Sequence, residues 1–158
     1  MNAIDARLRE LAIDLPPPPA AAAAYRPVVL HAGLAYVSGQ LPRDGAQLIR
    51  GQVGDEIDVA AGKAAARACA LAVLSVLRQA LGGDLGRVRA CLQLSGFVAA
   101  VPGFEAHSEV INGASDLLVE VLGPAGGHAR AAVGVATLPF GVPVEVSAVF
   151  AVREPLQT

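Results

Sequence analysis

Arg130 opens a strand-like segment in which nearly all the other side chains are small. The segment, residues 127–139, has the sequence GHARAAVGVATLP. Alternate side chains of a strand point to opposite faces, which places Arg130 on one face with Ala132, Gly134 and Ala136. Such small side chains leave a cavity with a backbone floor, and a guanidinium offers two parallel donors to a carboxylate. The pattern therefore predicts a site for a small acid.

A carboxylate in the last strand is the second candidate group. In the segment VEVSAVFAV, residues 144–152, Glu145 shares one face with Ser147, while the opposite face is apolar. Burial in this apolar run would raise the pKa of Glu145 toward the range useful for moving protons. The same patterns also fit an exposed arginine at a strand end and a glutamate on a solvated face, and the sequence leaves both interpretations open.

The separation of Arg130 and Glu145 depends on how the two strands pair. In a simple hairpin about the turn PFGVP, Arg130 would lie near Val152, roughly 20 Å along the strand from Glu145 at about 3.3 Å per residue. The two groups could not then bind one small substrate. Either the strands are not direct neighbours, or the site is completed across a subunit interface.

The rest of the chain supplies the elements that position these groups. Periodicity and turn residues predict a short helix within residues 3–13, a two-stranded hairpin within 25–42, an optional third strand within 46–53, a helix within 59–82, a strand within 87–100, a helix within 104–123 with a weak point at Asn112 and Gly113, and two strands within 129–138 and 144–152. This order predicts an α+β fold, a sheet with two helices on one of its faces.

Length and composition indicate a single domain that associates with itself. A chain of 158 residues is long enough to bury one core. We assign residues 1–24 to an N-terminal helix and a proline-rich spacer, and residues 25–158 to the domain. Charged residues make up 16% of the chain, against roughly 25% in typical soluble proteins. Apolar surface that a monomer cannot bury is commonly covered by association, so we expect a homo-oligomer.

Charge and cysteine usage exclude several classes of partner. A net charge of −2 and 4% aromatic residues provide neither a phosphate-binding stripe nor a base-stacking platform, so we expect no nucleic acid. The longest apolar run, residues 68–77, is shorter than the roughly 18 residues of a spanning helix, so we expect no membrane. The charged N-terminal segment predicts a cytoplasmic protein. Cys69 and Cys91 form no metal-binding or redox motif and are interpreted as reduced packing residues.

Three segments of the sequence closely resemble the RidA family, also called YjgF-like. They are SGQLP at residues 38–42, INGASDLLVEVLG at residues 111–123, and HARAAVGVATLPFGVPVEV at residues 128–146. The resemblance covers roughly residues 25–152. The label endoribonuclease L-PSP accompanies such sequences, and the N-terminal helix with its LPPPPA spacer resembles a longer subgroup of the family.

The resemblance implies a chorismate-mutase-like fold, with a mixed sheet backed by two helices and assembled as a homotrimer with ligand clefts between subunits. The last two strands would then not pair with each other. The implied activity is hydrolysis of reactive 2-imino acids, or their enamine tautomers, to 2-oxo acids and ammonia. No metal or cofactor is implied.

The resemblance also assigns roles to individual residues. Arg130 matches the arginine that binds the substrate carboxylate, and Glu145 matches the carboxylate that holds or activates water. Gly39 matches a backbone contact in the cleft, while Tyr25 and Asn112 match further lining positions, Asn112 in one interpretation from the neighbouring subunit.

Two positions depart from the family pattern. The family's archetype has cysteine two residues beyond the arginine, where this chain has Ala132. The backbone at this position is the part implied to meet the imine nitrogen, so Ala132 is retained as a substrate-binding candidate. His128 stands where the family has a proline-containing approach. We interpret it as an exposed loop histidine, with a position at the mouth of the cleft as the alternative.

Three alternative functions use the same pattern. The first is a non-catalytic or regulatory trimer that binds small carboxylates. The second is a mutase acting on a cyclic dicarboxylate such as chorismate, suggested only by the fold. The third is RNA cleavage, for which the sequence offers no histidine pair and no basic groove.

Overall fold

A five-stranded mixed sheet forms the centre of the computed structural model, which describes residues 1–20 and 24–153. Its strands are β1 (Val28–His31), β2 (Leu34–Gln40), β5 (Val88–Ala99), β6 (Ala129–Val135) and β7 (Val144–Val152), in the spatial order β1-β2-β7-β5-β6. Among the four neighbouring strand pairs of this sheet, β5 and β6 run parallel and the other three pairs run antiparallel. The helices are α1 (Ala3–Glu10), α2 (Val59–Ala80) and α3 (His107–Leu122), and two-residue strands β3 (Arg43–Asp44) and β4 (Gln47–Leu48) form a separate hairpin.

Local signals in the sequence set the bounds of these elements. The Asp58 side chain accepts a hydrogen bond of 2.7 Å from the backbone N–H of Ala61 and so caps the N-terminus of α2. Gly82 follows the helix with a φ of +73°, a conformation that glycine adopts without steric cost. Ala32 and Gly33 both have positive φ, as a two-residue hairpin turn between β1 and β2 requires.

The two long helices pack side by side on one face of the sheet. Between them and the sheet lies a continuous apolar core whose largest buried side chains include Leu74, Leu94, Ile111, Leu117 and Phe150. Helix α1 packs on this helix layer through the buried side chain of Leu8. The predicted α+β architecture, with a chorismate-mutase-like sheet and two helices on one face, is confirmed.

Three local predictions were wrong in detail. The third strand expected within residues 46–53 is limited to Gln47–Leu48 in the small hairpin. The predicted weak point in α3 is a continuous part of that helix. Gly113 lies against α2 so closely that a Cβ there would overlap the backbone carbonyl oxygen of Lys63. The glycine therefore permits close helix packing. Strand β6 ends at Val135, three residues before the predicted end.

Helix α2 is the element whose length and hydropathy would suit a membrane span, among the residues described. In its most apolar 18-residue window, 56% of the residues are buried inside the domain. The apolar character of α2 is therefore explained by its place in the core.

Candidate functional site

Arg130 lies on the edge strand β6, on the face of the sheet that carries the helices. It is in register with Leu94 of β5, which is fully buried under the helices. Arg130 Nη1 donates hydrogen bonds to Asn112 Oδ1 at 2.7 Å and to Ser115 Oγ at 3.1 Å. Asn112 and Ser115 are three residues apart on α3 and so share one face of the helix. Within a single chain, the structure brings together two of the predicted site residues, Arg130 and Asn112.

These two bonds decide how the guanidinium can bind an acid. A guanidinium carries five N–H groups, two of them on Nη1. Asn112 and Ser115 engage both Nη1 hydrogens. Among the residues that the structure describes, these are the side-chain partners of Arg130, and the edge formed by Nε and Nη2 is therefore left for a ligand. This edge presents two parallel donors, the geometry that suits bidentate carboxylate binding.

The row of small residues next to Arg130 runs along the same face of β6. Ala132 is half-buried against the core. Gly134 lies directly under the His107 ring, and a Cβ there would overlap His107 Nε2. Beyond this ring, an open cavity of about 320 Å³ is lined by Phe104, Val135, Ala136 and the 100–103 segment. The cavity therefore adjoins the far end of the row, from Gly134 to Ala136, where the His107 ring also lines it.

Glu145 belongs to a second group of predicted residues. Its carboxylate lies against Gly39 of β2, where a Cβ would overlap Glu145 Oε1. Burial raises the pKa of the half-buried Glu145 carboxyl above its ordinary value. Tyr25 is exposed and precedes Arg26, whose backbone carbonyl accepts a hydrogen bond from Ser38 Oγ, next to Gly39. Tyr25, Gly39 and Glu145 therefore lie toward the same end of the β1–β2–β7 region.

The two groups lie on opposite faces of the sheet. Glu145 is in register with Phe97 of β5, and Arg130 is in register with Leu94. Positions 94 and 97 are an odd number of residues apart, so their side chains point to opposite faces. Strand β5 separates β6 from β7. Two strand spacings across the sheet and three residues of rise along it place the Cα atoms of Arg130 and Glu145 roughly 14 Å from each other. One chain cannot direct both side chains at one small acid.

His128 was wrongly interpreted as an exposed loop residue. It is half-buried, its Nδ1 lies 2.6 Å from the Gly126 carbonyl oxygen, and its Nε2 lies 2.9 Å from Ser115 Oγ. The 3₁₀ turn Gly123–Gly126 turns the chain after α3 and brings His128 under that helix. Ser115 was not predicted from the sequence as a site residue. Its position three residues after Asn112, on the same helix face, was the available signal.

Comparisons with known proteins agree with this architecture. Residues 5–151 match the family described as "YjgF/chorismate_mutase-like, putative endoribonuclease". The chain is 48% identical over 147 residues to Protein TCP17 of Trypanosoma cruzi, covering 92% of this chain and 91% of that protein. It is 45% identical to protein Atu1372 of Agrobacterium tumefaciens, whose crystal structure superimposes with a TM-score of 0.88 over 96% of this chain and 94% of that one.

A more distant solved structure carries the name RidA. This protein, from an Antarctic Psychrobacter, is 26% identical, with a TM-score of 0.59 over 85% of this chain and 94% of that one. Together with the family match, these similarities show that the chain belongs to the YjgF/RidA-like family.

Proposed function

We propose that this protein hydrolyses 2-imino acids, or their enamine tautomers, to 2-oxo acids and ammonia. Water adds to the C=N carbon, and the resulting carbinolamine expels ammonia as its hydroxyl becomes the carbonyl. The overall reaction consumes one water, oxidises nothing and needs no electron acceptor. Membership of the YjgF/RidA-like family supports this class of reaction, and the two residue groups supply what it requires.

Arg130 binds the substrate carboxylate in this proposal. Its Nε–Nη2 edge receives the two carboxylate oxygens, and the backbone at Ala132 forms the floor beside the adjacent C=N carbon. Anchoring the acid end makes attack on that carbon an oriented, effectively unimolecular step. The reaction needs modest acceleration because imines hydrolyse readily in water.

Glu145 handles the protons. A carboxylate takes a proton from the attacking water as general base and returns it to the departing nitrogen, which leaves as ammonia. The raised pKa of Glu145 brings the proton affinity of this carboxylate closer to that of the water and nitrogen groups with which it exchanges protons at neutral pH.

The working site forms between two copies of the chain. Arg130 with Asn112 contributes one half-site, and Glu145 with Gly39 and Tyr25 contributes the other, because the sheet separates them within one chain. The face that carries Glu145 also exposes Val29, Tyr36 and Val133, each by 45–46%. A second copy would cover this apolar surface. We propose a homotrimer, in which each of three equivalent interfaces carries one site.

We propose that the protein acts in a reducing compartment. Cys69 and Cys91 are both free and buried, which supports the cytoplasm as the place of action.

The observation that carries this proposal is that Arg130 and the Glu145 carboxyl, whose pKa is raised, lie on opposite faces of the sheet within one chain. The test is release of 2-oxobutanoate from 2-iminobutanoate, generated in situ by a threonine dehydratase. Two charge-assisted hydrogen bonds of about 1.5–3 kcal/mol each are lost in Arg130→Ala, so kcat/KM should fall at least about 100-fold. Arg89→Ala removes another exposed strand arginine and should retain wild-type activity.

A carboxylate-binding protein without turnover is the alternative that this assay separates. It would show no acceleration by wild type, together with thermal stabilisation by 2-oxobutanoate that Arg130→Ala removes. Equal acceleration by wild type and Arg130→Ala would contradict the role of Arg130.

A further inference from the structure

A chain of four hydrogen-bonded groups runs from the backbone before β6 to the guanidinium of Arg130. His128 Nδ1 meets the Gly126 carbonyl at 2.6 Å, His128 Nε2 meets Ser115 Oγ at 2.9 Å, and Ser115 Oγ meets Arg130 Nη1 at 3.1 Å. Asn112 Oδ1 accepts from the same nitrogen at 2.7 Å. The family resemblance assigned no role to Ser115 or to His128.

The direction of each hydrogen bond follows from the chemistry of the end groups. A backbone carbonyl only accepts, so His128 Nδ1 carries the proton and donates to Gly126. In the neutral ring, Nε2 then accepts from the Ser115 hydroxyl. With its hydrogen directed at His128, Ser115 Oγ presents a lone pair to Arg130 Nη1. The guanidinium can only donate, so Ser115 Oγ accepts from it in any case; the imidazole accepts the serine's hydrogen and so fixes the direction of its lone pairs.

This arrangement holds a side chain that would otherwise be mobile. Arg130 lies on an edge strand and is exposed, and a free arginine side chain has many rotamers to lose when it binds a ligand. Asn112 and Ser115 engage both Nη1 hydrogens from one face of α3. The plane of the guanidinium is fixed before a ligand arrives, which lowers the entropic cost of binding.

We propose that Ser115 and His128 are positioning residues that fix the Nε–Nη2 edge of Arg130 for a single carboxylate. The identity of the ligand rests on the proposed function, but the positioning does not. The prealigned edge suits one planar carboxylate next to a reacting carbon. Alignment of this edge affects the binding of the substrate's carboxylate, so loss of the alignment should change KM or Kd more than kcat.

Four substitutions test this role. Ser115→Ala and His128→Ala should each raise KM for the imino acid about 5- to 10-fold and change kcat less than about 3-fold. His128→Gln places an amide oxygen where Nε2 accepts from Ser115, and should remain within about 2-fold of wild type. Ser108→Ala removes an exposed serine from the same helix α3 and should leave both constants unchanged.

The double variant Ser115→Ala/His128→Ala gives a second, internal check. Because His128 acts through Ser115, the double variant should be no worse than Ser115→Ala alone. Melting temperature and oligomer size are measured for every variant, and only those that match wild type are compared. Multiplied effects in the double variant would show that the two side chains act separately, which overturns the proposal.

A spectroscopic measurement separates this inference from the proposed reaction. The ¹⁵N resonance of Arg130 Nε, assigned by its loss in Arg130→Ala, should be sharp and slow to exchange in wild type, and broad in Ser115→Ala and His128→Ala. Titration with 2-oxobutanoate should shift it, with a 5- to 10-fold weaker Kd in both variants. If wild type turns over no imine but shows these effects, the positioning stands and the reaction falls. The inference would be overturned if both variants kept the wild-type Arg130 signal and the wild-type Kd. It would also be overturned if the wild-type protein bound no carboxylate.

Discussion

Replacing Gly113 with alanine tests the close packing of α3 on α2 that places Asn112 and Ser115 beside Arg130. A Cβ at Gly113 would overlap the Lys63 carbonyl oxygen and lie 2.8 Å from its carbonyl carbon. Both atoms belong to the backbone of α2, so relief requires the helices to separate. Gly62 provides the matched control, since a Cβ there would meet two methyl groups of Val110 at 3.3 Å, and a side chain can shift by a few tenths of an ångström.

The expected magnitude follows from two opposing effects. Alanine in a helix interior is favoured over glycine by about 1 kcal/mol, and this gain applies to both variants. Overpacking a core contact costs typically about 1–3 kcal/mol, and we place Gly113→Ala at the upper end because its obstacle is backbone. The free energy of unfolding should therefore fall by about 2 kcal/mol in Gly113→Ala and change little in Gly62→Ala. For a domain of this size, 2 kcal/mol lowers Tm by about 4–8 °C.

Calorimetry at one fixed protein concentration measures this difference, since association with further copies makes Tm depend on concentration. The imine-hydrolysis assay on the same samples should show a raised KM in Gly113→Ala, because the displaced helix carries Asn112. Equal melting temperatures for Gly113→Ala and Gly62→Ala would refute the close helix contact. A lowered Tm with unchanged KM would refute its link to the site.

Three further predictions concern the second half-site and the cysteines. Burial raises the pKa of Glu145, so ionising this carboxyl costs more free energy in the folded state than in the unfolded state. The protein is therefore not destabilised while the carboxyl is protonated, and it loses stability as the pH rises through the folded-state pKa. The Tm of Glu145→Gln minus that of wild type should be near zero at about pH 4 and positive at about pH 8; a difference that shrinks with rising pH would contradict this. Gly39→Ala should displace the flexible Glu145 carboxylate and abolish hydrolysis with little change in Tm. The control Gly127→Ala, whose Cβ would make only an ordinary contact at 3.6 Å, should retain activity. An active Gly39→Ala variant would show that Glu145 has no role in catalysis. Burial raises the pKa of Cys91 to about 12 and that of Cys69 well above its usual range, so a thiol reagent at about pH 8 should label both only after unfolding, and rapid labelling of the folded protein would refute their burial.

Elements with strong local signals were predictable from the sequence. Strand β7 has the predicted bounds, Val144–Val152, because its alternating pattern matches burial on one face. Helix α2 begins after the Asp58 cap and ends before two glycines of positive φ. The small residues along β6 were also visible, since alternation alone places them beside Arg130.

Features that depend on distant contacts were not predictable in the same way. The role of Gly113 depends on a carbonyl of another helix, so the sequence presented it as a weak point. The Ser115–His128 contact joins a helix to the residue before β6, and hydrogen-bond partners across elements leave no periodic signal. The opposite faces of Arg130 and Glu145 follow from the register of β6 and β7 on β5, which places them beside Leu94 and Phe97. Pairing between distant strands is not fixed by the pattern within each strand.

Subunit mixing tests most directly the central claim that each site combines Arg130 of one chain with Glu145 of another. Arg130→Ala and Glu145→Gln proteins, each inactive alone, are unfolded together in equal amounts and refolded into mixed trimers. If the site spans an interface, random assembly pairs an intact arginine with an intact glutamate at about one interface in four, and imine hydrolysis should recover to about a quarter of the refolded wild-type rate. Mixed trimers that remain inactive, where refolded wild type is active, would contradict the shared site.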